Sequence, residues 1–522
     1  MYLTQGLRRA AQIRPFEEST VFRERRRVWS ETVDRVARIA GGLKEVGVQL
    51  GDRVAILALN SDRYFELLYA IPWLGAAVVP LNTRLAIPEI RHILEDSGAR
   101  VLFVDGAMQE HAAALADLST IEAVFYLDDD TPPTGALSFE DLATGPPAAD
   151  SGAGGDTLAG LFYTGGTTGK TKGVMLSHNN LVWNAMNTIA GMYYDQDMAY
   201  LHSAPMFHLA DGGATFGVTI CGGRHVFVPR FDAVDCLQTM EREKVTHAVY
   251  VPTMINMLIS SSTVGEVDLS NLEYITYGAS PMPEGMLRKA IDTFPTCGFI
   301  HAYGMTEASP GLTMLPPRYA TLDGPFAGRI KSCGQAVLSA ELRIVGTERK
   351  ELPRGTVGEI AARGPMIMQG YWNKPTETSA VLADGWLYTG DAGFMDDEGF
   401  VFIVDRVKDM IITGGENVYS AEVENAISLM PGVAEVAVIG VPDPKWGECV
   451  HAIIVPTAGA ELRAEDVIAH CNTQIAGYKC PRSVEFRDTP LPQSGPGKIL
   501  KRQLREPFWG AGENAGAPSG QA

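Results

Sequence analysis

Paired cysteines are missing from this sequence. Its seven cysteines stand at positions 221, 236, 297, 333, 449, 471 and 480, with no CxxC spacing and an odd total. That scatter excludes a disulfide framework and a zinc site, and it is the usage of a reducing compartment. Cys471 directly follows His470, but a nucleophile needs a partner in space, so Cys471 reads as a buried structural thiol. Positive charge is also scarce: 43 Lys and Arg stand against 62 Asp and Glu, a net charge of −19. A polyanion such as DNA is repelled by that balance. The one basic run, residues 23–27, reads as a solvated connection, so nucleic acid is excluded as a partner. Long apolar runs are absent too. The richest stretch, residues 64–81, is interrupted by Glu66, Pro72 and Pro80, which argues against a membrane span. The opening MYLTQGLRRAAQIRPFEE lacks the apolar segment of a secretory signal. A cytoplasmic location with no integral membrane segment is therefore expected.

What remains is ordinary globular composition on a long chain. With 46% hydrophobic and 20% charged residues among 522, the sequence is too long for one core and calls for two or more domains. The first part alternates helical and strand patterns. Ser30 is placed to cap a helix bearing Val33, Val36, Ala37, Ala40 and Leu43 on one face, with Gly47 ending it. Residues 53–59 (RVAILAL) read as a buried strand, Ser61 opens a second helix, and residues 89–96 lead through Gly98 into a strand at 101–104. Such alternation implies layered α/β structure.

Residues 145–157 read as a surface loop, followed at once by a strand at 158–163. Strands with turn residues follow at 341–345, 358–362 and 400–404, making a β-rich part. The last hundred residues form a small α+β unit: a helix at 421–430, strands at 433–441 and 450–455, a helix at 464–475 and a short strand at 484–486. The tail from Gly510 (GAGENAGAPSGQA) cannot bury anything and is expected to be disordered. The expected fold class is multidomain α/β: a large N-terminal domain at 1–407, a small mobile lid at 408–508 and a tail at 509–522.

Chemistry concentrates first at residues 163–174, YTGGTTGKTKGV. Gly165, Gly166 and Gly169 let backbone amides approach a phosphate, Thr164, Thr167 and Thr168 add hydroxyl donors, and Lys170 and Lys172 add charge. The phosphate loop of kinases and ATPases, G-x-x-x-x-G-K-[ST], fits 164–171 at every place except the first, where Thr164 replaces Gly. At this point a phosphotransferase remains open.

Six further motifs follow in order: PMFH at 205–208, YGAS at 277–280, YGMTE at 303–307, YTGD at 388–391, DRVKDMIITGGENVYSAEVE at 405–424 and PQSGPGKILKR at 492–502. With the loop, they make the sequence resemble the adenylate-forming (AMP-binding) superfamily from about Ser30 to Arg505, in its acyl-CoA synthetase branch. The resemblance implies an AMP-forming, ATP-dependent acid–CoA ligase. A carboxylic acid attacks ATP to give an acyl-adenylate and pyrophosphate, and coenzyme A then takes the acyl group. Two anions meet in the first step, so cationic groups and Mg²⁺ must neutralise the charge that develops.

The same resemblance implies residue roles. Glu307 is matched to the Mg²⁺ ligand and Thr306 to the α-phosphate contact. Asp391 is matched to the ribose hydroxyls, with Arg406 helping. Gly278, Ala279, Ser280, Tyr303 and Gly304 match the segments that flank adenine, where Tyr303 would stack on the base. Lys498 matches the lysine that bridges carboxylate and α-phosphate, and Lys408 the hinge. Gly414, Gly415 and Glu416 belong to the loop that would form a pantetheine channel once the lid turns. His208 matches the gate between acid pocket and channel, while Trp446 and Tyr478 are placed to stack the adenine of CoA. Departures from the family pattern are Gly165 for the usual Ser, Thr171 for Pro and Ser420 for Pro.

Alternatives remain: a stand-alone adenylation enzyme loading a carrier protein, a P-loop phosphotransferase, or a nucleotide sensor without catalysis. The segments matched to the acid pocket, near His208, 212–215, 277–280 and 304–310, carry no charged residue except Glu307. A neutral tail is therefore expected, either a medium- or long-chain fatty acid or an apolar aryl or arylalkanoic acid. Homodimers are common among similar enzymes.

Overall fold

The computed structural model describes residues 1–115, 117–164, 171–280, 282, 284–321, 323–406, 409–413, 416–457, 459–493 and 499–509, except the side chains of Arg406 and Asn417. Within these residues four sheets form. The largest runs from Gln335–Ala336 through Gly311–Leu315, Gly298–Gly304, Tyr274–Gly278, His247–Tyr250, Ala199–His202, Arg224–Phe227 and Glu18–Phe22 to Arg25–Val28. Its middle strands are parallel, because helices return the chain between them. A second sheet is built around the parallel strands Arg53–Leu57, Ala77–Pro80 and Val101–Val104. It ends in the antiparallel strands Leu158–Thr164, Lys172–Ser177 and Gly370–Tyr371. One continuous core that includes Trp29, Tyr64, Phe65, Tyr69 and Tyr200 joins these two sheets with their helices.

The third sheet is antiparallel, with Glu341–Val345, Gly358–Arg363, Trp386–Met395, Leu382–Ala383 and Val401–Arg406. The fourth lies at the C-terminal end and pairs Ile411–Thr413, Glu416–Val418, Gly447–Pro456, Val433–Asp443 and Ser483–Phe486. Its apolar clusters draw only on residues between Ile411 and Leu504. The layered α/β part, the β-rich part and the small α+β part expected from the sequence are all present. Among the described residues no helix is long and apolar enough to cross a membrane.

Local punctuation was legible with two exceptions. Ser61 does cap Asp62–Trp73, accepting from Tyr64 N at 3.1 Å, and Gly98 ends Ile87–Ser97 in the left-handed region at φ 62°. Ser30, however, does not cap its helix. The helix spans Trp29–Glu45, and Val28 precedes it with its amide held by Glu31 Oε2 at 3.0 Å. The basic run is also not a solvated connection. It forms the strand Arg25–Val28, and Arg25 and Arg27 pair with the buried carboxylate of Asp62. Arg35 extends the network from Glu66 at 2.7 Å to Glu140 at 3.0 Å. Two carboxylates taken out of water demand such partners.

Candidate functional site

Two parallel strands, Tyr274–Gly278 and Gly298–Gly304, end side by side with Gly278 opposite Ala302. Carboxyl ends of parallel strands are where open α/β sheets leave room for ligands. A Cβ on Gly278 would stand 2.2 Å from Ala302 O, and one on Gly304 only 1.8 Å from Pro310 O. Both positions therefore require glycine. Ala279 holds a left-handed φ of 66° and Ser309 one of 68°, conformations that cost a non-glycine residue roughly 1–2 kcal/mol. Behind this rim, Tyr277 stacks on His301 with centroids 4.8 Å apart. His301 Nδ1 lies 3.0 Å from Ser332 O, and burial pushes its pKa down to about 4, so the ring is neutral.

Tyr303 turns its hydroxyl onto Asp391 Oδ2 at 2.8 Å. These residues come from different sheets, and the contact closes the space between them. The strand segment before Asp391 is held from two further sides: the Asp391 amide donates to Thr389 Oγ1 at 3.1 Å, and the Gly390 amide donates to Glu359 Oε1 at 2.8 Å. Burial raises the Glu359 carboxyl above its ordinary range. Arg406 stands directly across the ladder from Asp391. Its side chain lies outside the described residues.

Thr306 and Glu307 share a single 3₁₀ turn, Thr306–Ala308. Glu307 is buried at 7% exposure, and its Oε1 accepts from Tyr371 Oη at 2.7 Å. Its carbonyl accepts from Met368 N at 2.9 Å. Among the described residues no group of three or more His, Cys, Asp and Glu could hold a metal by itself. One carboxylate in this setting fits a Mg²⁺ ion, which draws most of its ligands from phosphate oxygens and water.

The Gly/Thr loop joins two antiparallel strands, with Thr164 facing Lys172 in register. The P-loop of phosphotransferases needs a helix after the loop, whose N-terminus meets the phosphate. That reading is overturned by the strand at Lys172–Ser177. Gly165, Gly166, Thr167, Thr168, Gly169 and Lys170 lie outside the described residues. Lys172 Nζ sits 4.9 Å from the ring centroid of Tyr371, which links the loop to the Glu307 contact.

His208 precedes the short helix Leu209–Gly212, whose Gly212 amide donates to His208 O at 2.8 Å. Its Nε2 is buried without a partner among the described residues. Burial, reinforced by the nearby Arg84 cation, pushes the ring pKa down to about 4. The adjacent Asp211 does not add charge to this surface. It is fully buried and faces inward, with Oδ2 2.9 Å from His202 Nδ1 and Oδ1 accepting from Tyr200 Oη at 3.0 Å. His202 Nε2 continues to His225 Nδ1 at 2.9 Å, and His225 Nε2 reaches Thr219 at 3.1 Å.

In the C-terminal part, Glu416 pairs with Thr413. Trp446 lies between Lys445 and Arg482, whose charges are 4.5 and 5.1 Å from its ring centroid. Tyr478 is exposed beside Lys479, which pairs with Glu422 at 2.7 Å. Ser420, one of the departures noted above, donates its amide (2.5 Å) and its hydroxyl (2.6 Å) to Asp405 Oδ2. Cys471 is buried, and burial raises its thiol to about 11, as a structural thiol requires. Lys408, Gly414, Gly415 and Lys498 lie outside the described residues.

Sequence reading did not find Tyr371 or Glu359, and it met Asp405 only as the first residue of the 405–424 motif, with no role. Tyr371 is 64 positions from Glu307 and Glu359 is 31 from Gly390, so no periodicity connects either pair.

Residues 7–372 match the family described as AMP-binding enzyme, and residues 422–498 match the AMP-binding enzyme C-terminal domain. Over 484 residues the chain is 40% identical to a feruloyl-CoA synthase of an Amycolatopsis species, covering 92% of this chain and 94% of that protein. It is 36% identical over 483 residues to a long-chain-fatty-acid–CoA ligase of Mycobacterium tuberculosis, with 90% and 91% covered. The ATP-bound structure of MatB from Rhodopseudomonas palustris aligns with a TM-score of 0.86 at 32% identity, covering 97% of this chain and 99% of that one.

Proposed function

This chain belongs to the AMP-binding enzyme family and is an AMP-forming acyl-CoA synthetase; we propose that it activates a medium- or long-chain fatty acid or an apolar aryl or arylalkanoic acid. The observation that carries this choice is the inward turn of Asp211. Asp211, the carboxylate of the short helix after His208, is taken up by His202 and Tyr200, leaving the segment with a neutral imidazole and small residues. Such a surface welcomes an apolar tail and disfavours a second carboxylate. The names of the two relatives, a feruloyl-CoA synthase and a long-chain-fatty-acid–CoA ligase, support the same classes.

In this reading Gly278, Ala279, Ser280, Tyr303 and Gly304 receive the adenine, and Asp391 with Arg406 holds the ribose. Residues 164–169 and Lys172 cradle the pyrophosphate that leaves. Thr306 contacts the α-phosphate, and Glu307 would hold Mg²⁺, whose charge would offset that of the phosphates. Lys498 bridges the acid and the α-phosphate from a lid spanning 408–508. Rotation at Lys408 then withdraws it and presents residues 414–416 for the thiol of CoA, with Trp446 and Tyr478 against the CoA adenine and His208 at the gate. Exchange of lid faces lets one site run two half-reactions. A cytoplasmic location, where ATP and CoA are at hand, completes the reading.

The test is a panel of acids assayed by CoA-dependent pyrophosphate release. Aryl and C8–C16 fatty acids are expected to exceed succinate and glycine by about 10²-fold or more in kcat/KM. Equal or better turnover of the dicarboxylate would overturn the assignment of the acid.

A further inference from the structure

We propose that Tyr371 is a positioning residue: it holds the Glu307 carboxylate for the cation that accompanies ATP and ties that carboxylate to the exit of the phosphate loop. The proposal rests on the reading of Glu307 as the cation ligand. Tyr371 reaches Glu307 Oε1 at 2.7 Å, and both residues are buried at 7% exposure. A hydroxyl donor on one oxygen fixes the carboxylate rotamer and leaves the other oxygen to meet an incoming ion.

The segment bearing Tyr371 is pinned on both sides. Its two-residue strand Gly370–Tyr371 pairs with Lys172–Ser177, placing Tyr371 opposite Val174. Gln369 N donates to Met175 O at 3.0 Å, and Trp372 N donates to Gly173 O at 2.8 Å. On the other side, Met368 N donates to Glu307 O at 2.9 Å. The face of the Tyr371 ring takes the Lys172 ammonium at 4.9 Å. One aromatic side chain thus touches a cation of the phosphate-loop exit with its face and the carboxylate with its hydroxyl. Outer groups that orient a metal-binding carboxylate are typically worth ~10–100-fold in metal affinity.

The experiment measures equilibrium ATP binding by calorimetry on the full chain without acid, across a Mg²⁺ titration. Wild type, Tyr371→Phe, Glu307→Gln and the double variant are compared, and metal-free AMP affinity serves as the control for an intact nucleotide site. Tyr371→Phe is expected to raise the half-saturating Mg²⁺ concentration about 10-fold, with AMP affinity within ~2-fold of wild type. If Tyr371 acts through Glu307, adding Tyr371→Phe to Glu307→Gln changes the Mg²⁺ dependence by less than ~2-fold. A merely structural tyrosine would give multiplying effects, and that result overturns the proposal. So does a Tyr371→Phe variant with wild-type Mg²⁺ dependence while Glu307→Gln is impaired. Should Glu307→Gln itself bind Mg²⁺·ATP normally, the assignment of Glu307 falls, and the role of Tyr371 falls with it.

Discussion

The hydroxyl of Tyr303 donates to Oδ2 of Asp391 at 2.8 Å, joining the end of a parallel strand to a β-rich sheet 88 residues downstream. In the proposed reading, with Tyr303 at the adenine and Asp391 at the ribose, that bond would hold the two ends of a nucleoside pocket at one spacing. A hydrogen bond to a charged group contributes about 1.5–3 kcal/mol. Tyr303→Phe is therefore expected to weaken AMP binding by about 10-fold, and Asp391→Ala by about 100-fold. Calorimetric titration with AMP decides the point: two variants that bind as wild type does would remove both assignments.

Gly304 permits the closest backbone approach at the site. A Cβ there would sit 1.8 Å from Pro310 O, where only backbone can yield. Gly304→Ala should cost about 2–3 kcal/mol of folding stability, as other overpacked interiors do. The drop is read from the urea midpoint, and an unchanged midpoint would show that the Met305–Pro310 loop gives way freely.

Asp211, His202, His225 and Thr219 form a buried chain behind the His208 helix. Asp211→Ala strands His202 Nδ1 and the Tyr200 hydroxyl inside the core. The expected loss is about 3 kcal/mol, the scale for breaking a buried pair. Chemical denaturation measures it, and a loss below about 1 kcal/mol would show that water reaches the stranded groups.

Stability should fall as pH drops below about 6.5. His178, His208, His247 and His301 are each pushed down to about 4 by burial, against a model-compound value near 6.5. Between those two pH values the unfolded chain binds protons that the folded chain refuses, so acid favours unfolding. The thermal midpoint at pH 5 is expected below that at pH 7.5. A flat profile across this window would mean that these rings protonate in place.

Ser420 makes two bonds to Asp405 that proline cannot make, because proline lacks both the amide hydrogen and the hydroxyl. Ser420 is the first residue of Ser420–Ser428, a position that accepts proline readily. Ser420→Pro therefore removes both bonds to Asp405, together with the bond that the Ser420 hydroxyl accepts from Lys501 Nζ. The ratio of single-turnover rates for the thioester and adenylate half-reactions is expected to shift about 3–10-fold, as loss of one or two charge-assisted bonds allows. An unchanged ratio would make the Ser420 contacts irrelevant to the proposed exchange of lid faces.

Periodicity and punctuation determined much of this protein on their own. Helix and strand positions, the separate C-terminal core and the order of the nucleotide motifs are local properties, written in side-chain spacing and in glycine and proline. Local residues also kept two readings of the Gly/Thr loop alive, because a phosphate loop looks the same whether a helix or a strand follows. The six motifs elsewhere in the chain favoured one of them, and the pairing of Leu158–Thr164 with Lys172–Ser177 overturned the other. The basic run misled for a related reason: its partners Asp62 and Glu66 lie some 35 to 40 positions away, and burial of those carboxylates turns the arginines inward. Tertiary structure alone decided that Asp211 faces His202 and that Tyr371 meets Glu307. Such contacts join residues that no spacing rule connects, and their strength comes from the exclusion of water, which exists only once the sheets have closed on one another.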